Sequence, residues 1–189
     1  LENPYQDASH LSANWAKMGY VGVEIREELE IPSSQPTAPL VCPWGLTQVP
    51  PPGASRSGTV VIPTRAAAEP VHYFGQVPDD RLRIHADYVA FRLDAGLITK
   101  IGIRAEDLPA DQPARVAYVS PVSPDPLNPG GRSNGWVAVV RESNDVARRS
   151  DDALDPPKAD PDGPRGVIQS YCNGPNGRED WARFGEIEM

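Results

Sequence analysis

The chain has 189 residues, 39% of them hydrophobic, with 26 acids against 18 Lys and Arg and a net charge of −8. That length supports one domain with a proper core, and the acidic balance argues against a nucleic-acid partner, whose phosphates call for basic surfaces. No apolar run approaches the roughly 18 residues that span a bilayer, so no membrane partner is expected.

The 22 prolines and 16 glycines suit short strands joined by turns better than long helices. Cys42 and Cys172 sit in no CxxC pattern and the three histidines complete no zinc spacing, so neither a metal nor another cofactor is expected. The two cysteines are either buried thiols or one disulfide. The chain starts at Leu1 with no charged n-region or apolar h-region, as expected of a processed or excised chain; compartment and oligomeric state stay open.

In chain order, Asp7 or Ser9 can cap a short helix through Lys17, with Leu11, Trp15 and Met18 as its apolar side. Gly19 stops it. From Tyr20 the period becomes two: Val21, Val23, Ile25, Leu29 and Ile31 alternate with Glu24, Arg26, Glu28 and Glu30, which predicts a half-buried strand ended by Pro32. Residues 40–49 follow as a strand with Trp44, Leu46 and Gln48 on one face, and residues 59–63 as a short buried one.

Residues 81–85, 88–94 and 98–104 predict a β-meander with tight turns, the second at Ala95-Gly96. Its middle strand turns Val89, Phe91 and Leu93 to one face, and Arg92 and Lys100 lie on the polar faces of adjacent strands. Residues 115–120 and 136–142 read as a further antiparallel pair, with Trp136 in the core. Residues 144–164 are polar, acidic and proline-rich and predict a surface loop. Strand character resumes over 166–172, and a last strand closes the chain.

In that last strand Phe184, Glu186 and Glu188 share one face, Ile187 and Met189 the other. Two carboxylates about 7 Å apart on a strand can bind sugar hydroxyls or share acid–base work; alternatively they are solvated acids on an outer face. Roughly ten strands with hairpin-like spacing and no long helix place the chain in the all-β class. The expected architecture is a single antiparallel β-sandwich over 1–189, with 1–19 a weakly structured lead-in.

Three strands carry a resemblance. Pro43-Trp-Gly-Leu-Thr-Gln-Val-Pro50 is similar to the "W-s-L-T-Q-v" strand of uncharacterised relatives of the galactose mutarotases (aldose 1-epimerases), where it follows an "e-r-e-l-e-l" strand like residues 25–31. Arg183-Phe-Gly-Glu-Ile-Glu188 resembles the "y-f-E-l-E" strand of that superfamily, and residues 91–103 its "kiG" strand pair. The resemblance implies a galactose mutarotase-like supersandwich, usually longer than this chain, with a carbohydrate ligand on one concave sheet face. The chain departs from active epimerases at Val71-His-Tyr-Phe-Gly75, where no Asn precedes His72 and Gly75 stands in place of Asn.

Opening a cyclic hemiacetal needs a base at the anomeric hydroxyl and an acid at the ring oxygen. On that chemistry Glu186 or Glu188 is the candidate base, and His72 or His85 the candidate acid. Arg92, Lys100 and Gln48 are candidates for hydrogen bonds to the sugar, and Trp44 and Tyr171 for stacking on its apolar C–H face. Each has a plainer reading: strand-edge histidines, solvated charges, aromatic residues of the core. The expected function is carbohydrate binding with or without aldose epimerase activity, the alternative being a non-catalytic sugar-binding or structural sandwich.

Overall fold

The computed structural model describes residues 19–28, 30, 43–49, 57–121, 135–144, 146, 155–158, 160–174 and 183–189. The chain divides into two compact units, Leu1–Pro43 and Trp44–Met189.

In the first unit, residues 19–28 have no regular secondary structure, and Val21, Val23 and Ile25 are exposed, Val21 by 92%. This corrects the strand expected from Val21 onward. Alternation supplies a strand with an apolar face, but its backbone groups also need a neighbouring strand, and no described residue pairs with this one. The helix expected through Lys17 and the thiol of Cys42 lie outside the described residues.

Among its described residues the second unit is all-β apart from a 3-10 turn at Ala105–Asp107. Its strands are β1 (Leu46–Val49), β2 (Gly58–Pro63), β3 (Val71–His72), β4 (Leu82–Ile84) and β5 (Tyr88–Leu93), then β6 (Thr99–Ile103), β7 (Ala114–Pro121), β8 (Trp136–Ser143), β9 (Ile168–Cys172) and β10 (Gly185–Glu188). They form two antiparallel five-stranded sheets, β1-β10-β9-β6-β3 and β4-β5-β2-β7-β8. The unit is a β-sandwich, as composition and strand spacing predict.

Period two explains the core. Along β2, β5 and β7 buried positions alternate with half-buried ones, so Val60, Ile62, Val89, Phe91, Leu93, Val116 and Tyr118 line one face of the second sheet. Val49, Ile101, Ile103, Ile168, Cys172 and Ile187 answer them from the first sheet, in one continuous cluster. At Gly185 the sheets approach so closely that a Cβ would stand 2.4 Å from the Leu93 Cδ1 methyl. Cys172 is a free, buried thiol in this cluster, with its pKa pushed up by burial.

Two expectations need correction. The three central strands are no meander: β4 pairs with β5, but β6 leaves for the other sheet, between β9 and β3. Ala95 turns the chain with a left-handed φ of 53°, and the Gly96 N–H donates to Asp94 Oδ1 at 2.8 Å. A turn signal specifies a reversal, not the sheet that receives the next strand. Trp136 is 68% exposed rather than in the core, because it opens β8, an edge strand whose first three residues are all exposed.

Candidate functional site

Residues directly opposite one another in an antiparallel pair share a face. In the first sheet Gln48 stands opposite Glu186, Glu186 opposite Tyr171, and Tyr171 opposite Lys100. These four residues therefore form one row across β1, β10, β9 and β6. The next row on the same face holds Leu46, Glu188, Gln169, Gly102 and Val71. Since Ile187, Ser170 and Ile101 point into the core, both rows lie on the outer face of the sheet.

This outer face is partly covered. Glu188 is only 3% exposed and Gln169 fully buried. Gly102 leaves room for the Tyr73 ring, since a Cβ there would meet Tyr73 Cε2 at 2.8 Å. The Tyr73 hydroxyl accepts from the Gly166 N–H at 3.0 Å and from Gln169 Nε2 at 2.7 Å, and donates to the Asp155 carbonyl at 3.2 Å. Burial pushes its pKa well above that of an ordinary tyrosine. The Lys158 N–H closes the arrangement onto the Tyr73 carbonyl at 3.0 Å. Residues 155–158, part of the expected surface loop, thus pack onto the sheet and bury Pro157.

Lys100 is the electrostatic centre of the covered layer. Its Nζ lies 3.1 Å from Glu188 Oε2 and 2.9 Å from Asp155 Oδ2, over the Tyr73 ring. The Trp44 indole N–H donates to the same Glu188 oxygen at 2.9 Å, and this bond fixes the ring beside β10. The other carboxylate oxygen of Glu188 and the Gln169 Oε1 are buried without a hydrogen-bond partner.

Glu186 differs from Glu188 in being half-buried and reachable. Its hydrogen bond comes from the neutral Gln48 Nε2 at 3.3 Å. Burial raises its pKa; the Gln48 hydrogen bond pulls it down, the Glu188 charge raises it, and Lys100 lowers it, the net being above the usual carboxylate range. Around it stands an aromatic group. Tyr171 meets Phe74 edge-on at 5.9 Å and Phe184 at 6.0 Å between ring centroids, and the Lys158 ammonium lies 5.0 Å above Phe74. The Tyr171 hydroxyl donates to Asn173 Oδ1 at 2.9 Å.

Of the residues singled out from sequence, Trp44, Gln48, Lys100, Tyr171, Glu186 and Glu188 therefore come together on one face. Three do not. His72 stands opposite Ile101 and so faces away from Lys100; its Nδ1 accepts the Val77 N–H at 3.2 Å, and burial lowers its pKa. His85 belongs beside the second sheet, stacked on Tyr88 at 4.2 Å. Arg92 lies on β5 of that same sheet, paired with Asp94 at 3.2 Å, because β5 and β6 part company at Ala95.

Tyr73, Phe74, Asp155, Gln169 and Phe184 complete the site without having been singled out. The parity of Phe184 with Glu186 was the one signal available for any of them. The others depend on which strands become neighbours. Chemically, the face offers a reachable carboxylate with aromatic rings beside it. Among the described residues no group of three or more His, Cys, Asp or Glu is placed to hold a metal ion, and no helix is long and apolar enough to cross a membrane.

A family of unknown function (DUF6786) matches residues 14–110, just over half of the chain. The match takes in Trp44, Gln48, Tyr73 and Lys100 and stops short of Asp155, Tyr171 and both glutamates. No curated protein and no solved structure matches the chain.

Proposed function

We propose that this chain, which belongs to the DUF6786 family of unknown function, binds carbohydrate on the outer face of its first sheet. The observation that carries the reading is the row Gln48–Glu186–Tyr171, which sets an amide and a reachable carboxylate beside a cluster of aromatic rings. Sugars present hydroxyl groups at their edges and C–H groups on their faces, so a site for them combines hydrogen-bonding side chains with aromatic surface. Strands hold these groups more rigidly than loops, and buried Glu188 and Tyr73, with half-buried Lys100, support them from beside.

Calorimetric titration of the chain with a panel of monosaccharides and short oligosaccharides tests this. Binding of at least one sugar, weakened roughly tenfold or more by Tyr171→Ala, is expected from loss of a stacking partner. Absence of any binding at millimolar sugar would sink the reading.

A second reading, aldose epimerisation, draws on the raised pKa of Glu186, which suits a general base or acid. The histidines expected as its partner acid lie elsewhere, so the binding form stands first. Polarimetry of glucose and galactose decides between the two: mutarotation faster than in buffer, and lost in Glu186→Gln, supports catalysis, while a rate equal to buffer leaves binding alone.

A further inference from the structure

The donors and acceptors on the outer face of the first sheet are unequally used. Most of the side-chain donors that the described residues set into the two rows and the layer over them already have a partner. Lys100 Nζ is held between Glu188 and Asp155. The Trp44 N–H is bound to Glu188, Gln48 Nε2 to Glu186, and Gln169 Nε2 to Tyr73 and the Gly166 carbonyl. Both tyrosine hydroxyls donate, to the Asp155 carbonyl and to Asn173 Oδ1. The Lys158 ammonium sits over the Phe74 ring.

Acceptors, in contrast, are in surplus. Glu188 Oε1 and Gln169 Oε1 are buried with no partner, and buried polar atoms are rarely left so. The Glu186 carboxylate has only a neutral amide against it, with no cation in ion-pair reach among the described residues. Charge tells the same story: three carboxylates, Glu186, Glu188 and Asp155, stand against two lysines, Lys100 held between two of them and Lys158 over the Phe74 ring. A ligand that matches this face brings donors and positive charge.

We infer that the sugar preferred here carries an ammonium group, an amino sugar whose –NH3+ sits against Glu186 beside the Tyr171 and Phe184 rings. The inference rests on the carbohydrate reading above and adds the charge of the ligand. An ammonium donates charge-assisted hydrogen bonds to the carboxylate, and the negative faces of neighbouring aromatic rings attract it further. The unpartnered oxygens of Glu188 and Gln169, on the same face as Glu186, add negative potential from the adjoining row. A carboxylated sugar meets the opposite situation: it is repelled by Glu186, Asp155 already occupies Lys100, and the exposed Lys158 over Phe74 is the cation left to it.

Titration with glucosamine, N-acetylglucosamine, glucose and glucuronate tests the inference at about pH 6.5, between the carboxylate and α-amino ranges. Glucosamine is expected to bind about tenfold tighter than either neutral sugar, as one charge-assisted hydrogen bond provides. That advantage shrinks with added salt, and in Glu186→Gln the ratio of glucosamine to glucose affinity falls to about one. The acetylated comparison uses the unaltered protein, so it does not depend on a variant folding. Equal affinity for charged and neutral sugars, or tighter glucuronate, overturns the ammonium inference and leaves the carbohydrate reading standing. No binding by any of the four, nor by the wider panel, overturns both.

Discussion

The two sheets share one core and one strand count, yet their outer faces are built differently. On the outer face of the second sheet Arg115 and Glu142 pair across β7 and β8 as exposed charges, their side chains 40% and 45% exposed. On the first sheet, the outer face buries a carboxylate, an amide and most of a lysine under Tyr73 and residues 155–158. Burying charge is costly unless it is paired, and Glu188 is held by the Lys100 ammonium and the Trp44 N–H. The contrast between the faces can be broken experimentally in graded steps.

The largest effect is expected at Lys100. Lys100→Met leaves the buried Glu188 carboxylate without its cation, and such half-removals cost about 3–5 kcal/mol. Urea denaturation measures it, and Lys100→Met with Glu188→Met together is expected to recover most of the loss. A loss under ~1 kcal/mol for the single variant would mean the buried pair is no pair at all.

Tyr73→Phe comes next. It removes a hydroxyl that holds Gly166, Gln169 and Asp155 together, and orphans two buried donors, for about 1–3 kcal/mol. The same denaturation curve reads it.

Asp94 gives a pH-dependent test at the edge of the second sheet. Burial pushes its carboxyl up, but hydrogen bonds from Arg81 and the Gly96 N–H, with the charges of Arg81 and Arg92, outweigh that and hold it below the usual range. Because the folded pKa is depressed, the stabilisation is present above the unfolded value of about 4 and is lost as pH falls through the folded value. Wild type is therefore expected to exceed Asp94→Asn in stability at neutral pH, with the two melting curves converging in acid. A gap that persists at low pH would contradict this sign. The smallest effect belongs to Arg115→Ala, an exposed pair worth less than ~1 kcal/mol.

What could be read from sequence followed from local periodicity. Alternation alone put Glu186 and Glu188 on one strand face and Trp44 with Gln48 on another, and the register of β1, β10, β9 and β6 then brought those faces into one plane. Strand partnership was not legible. Arg92 and Lys100 belong to consecutive strands, yet the turn at Ala95 sends them to different sheets, and no local signal at Gly96 distinguishes a hairpin from a crossing. Residues 155–158 read as polar excursion because nothing in their composition reveals that Asp155 meets a lysine 55 residues away. Val21, Val23 and Ile25 show the converse failure: a strand pattern with no neighbour among the described residues makes no strand there.

The central claim is that sugar binds the outer face of the first sheet. Backbone amide chemical shifts of the labelled chain, followed during titration with the tightest-binding sugar, test it most directly. The account predicts saturable shifts concentrated at Gln48, Tyr171 and Glu186, with Arg92, Arg115 and Glu142 unmoved. Shifts centred on the second sheet, or none at saturating sugar, would contradict it.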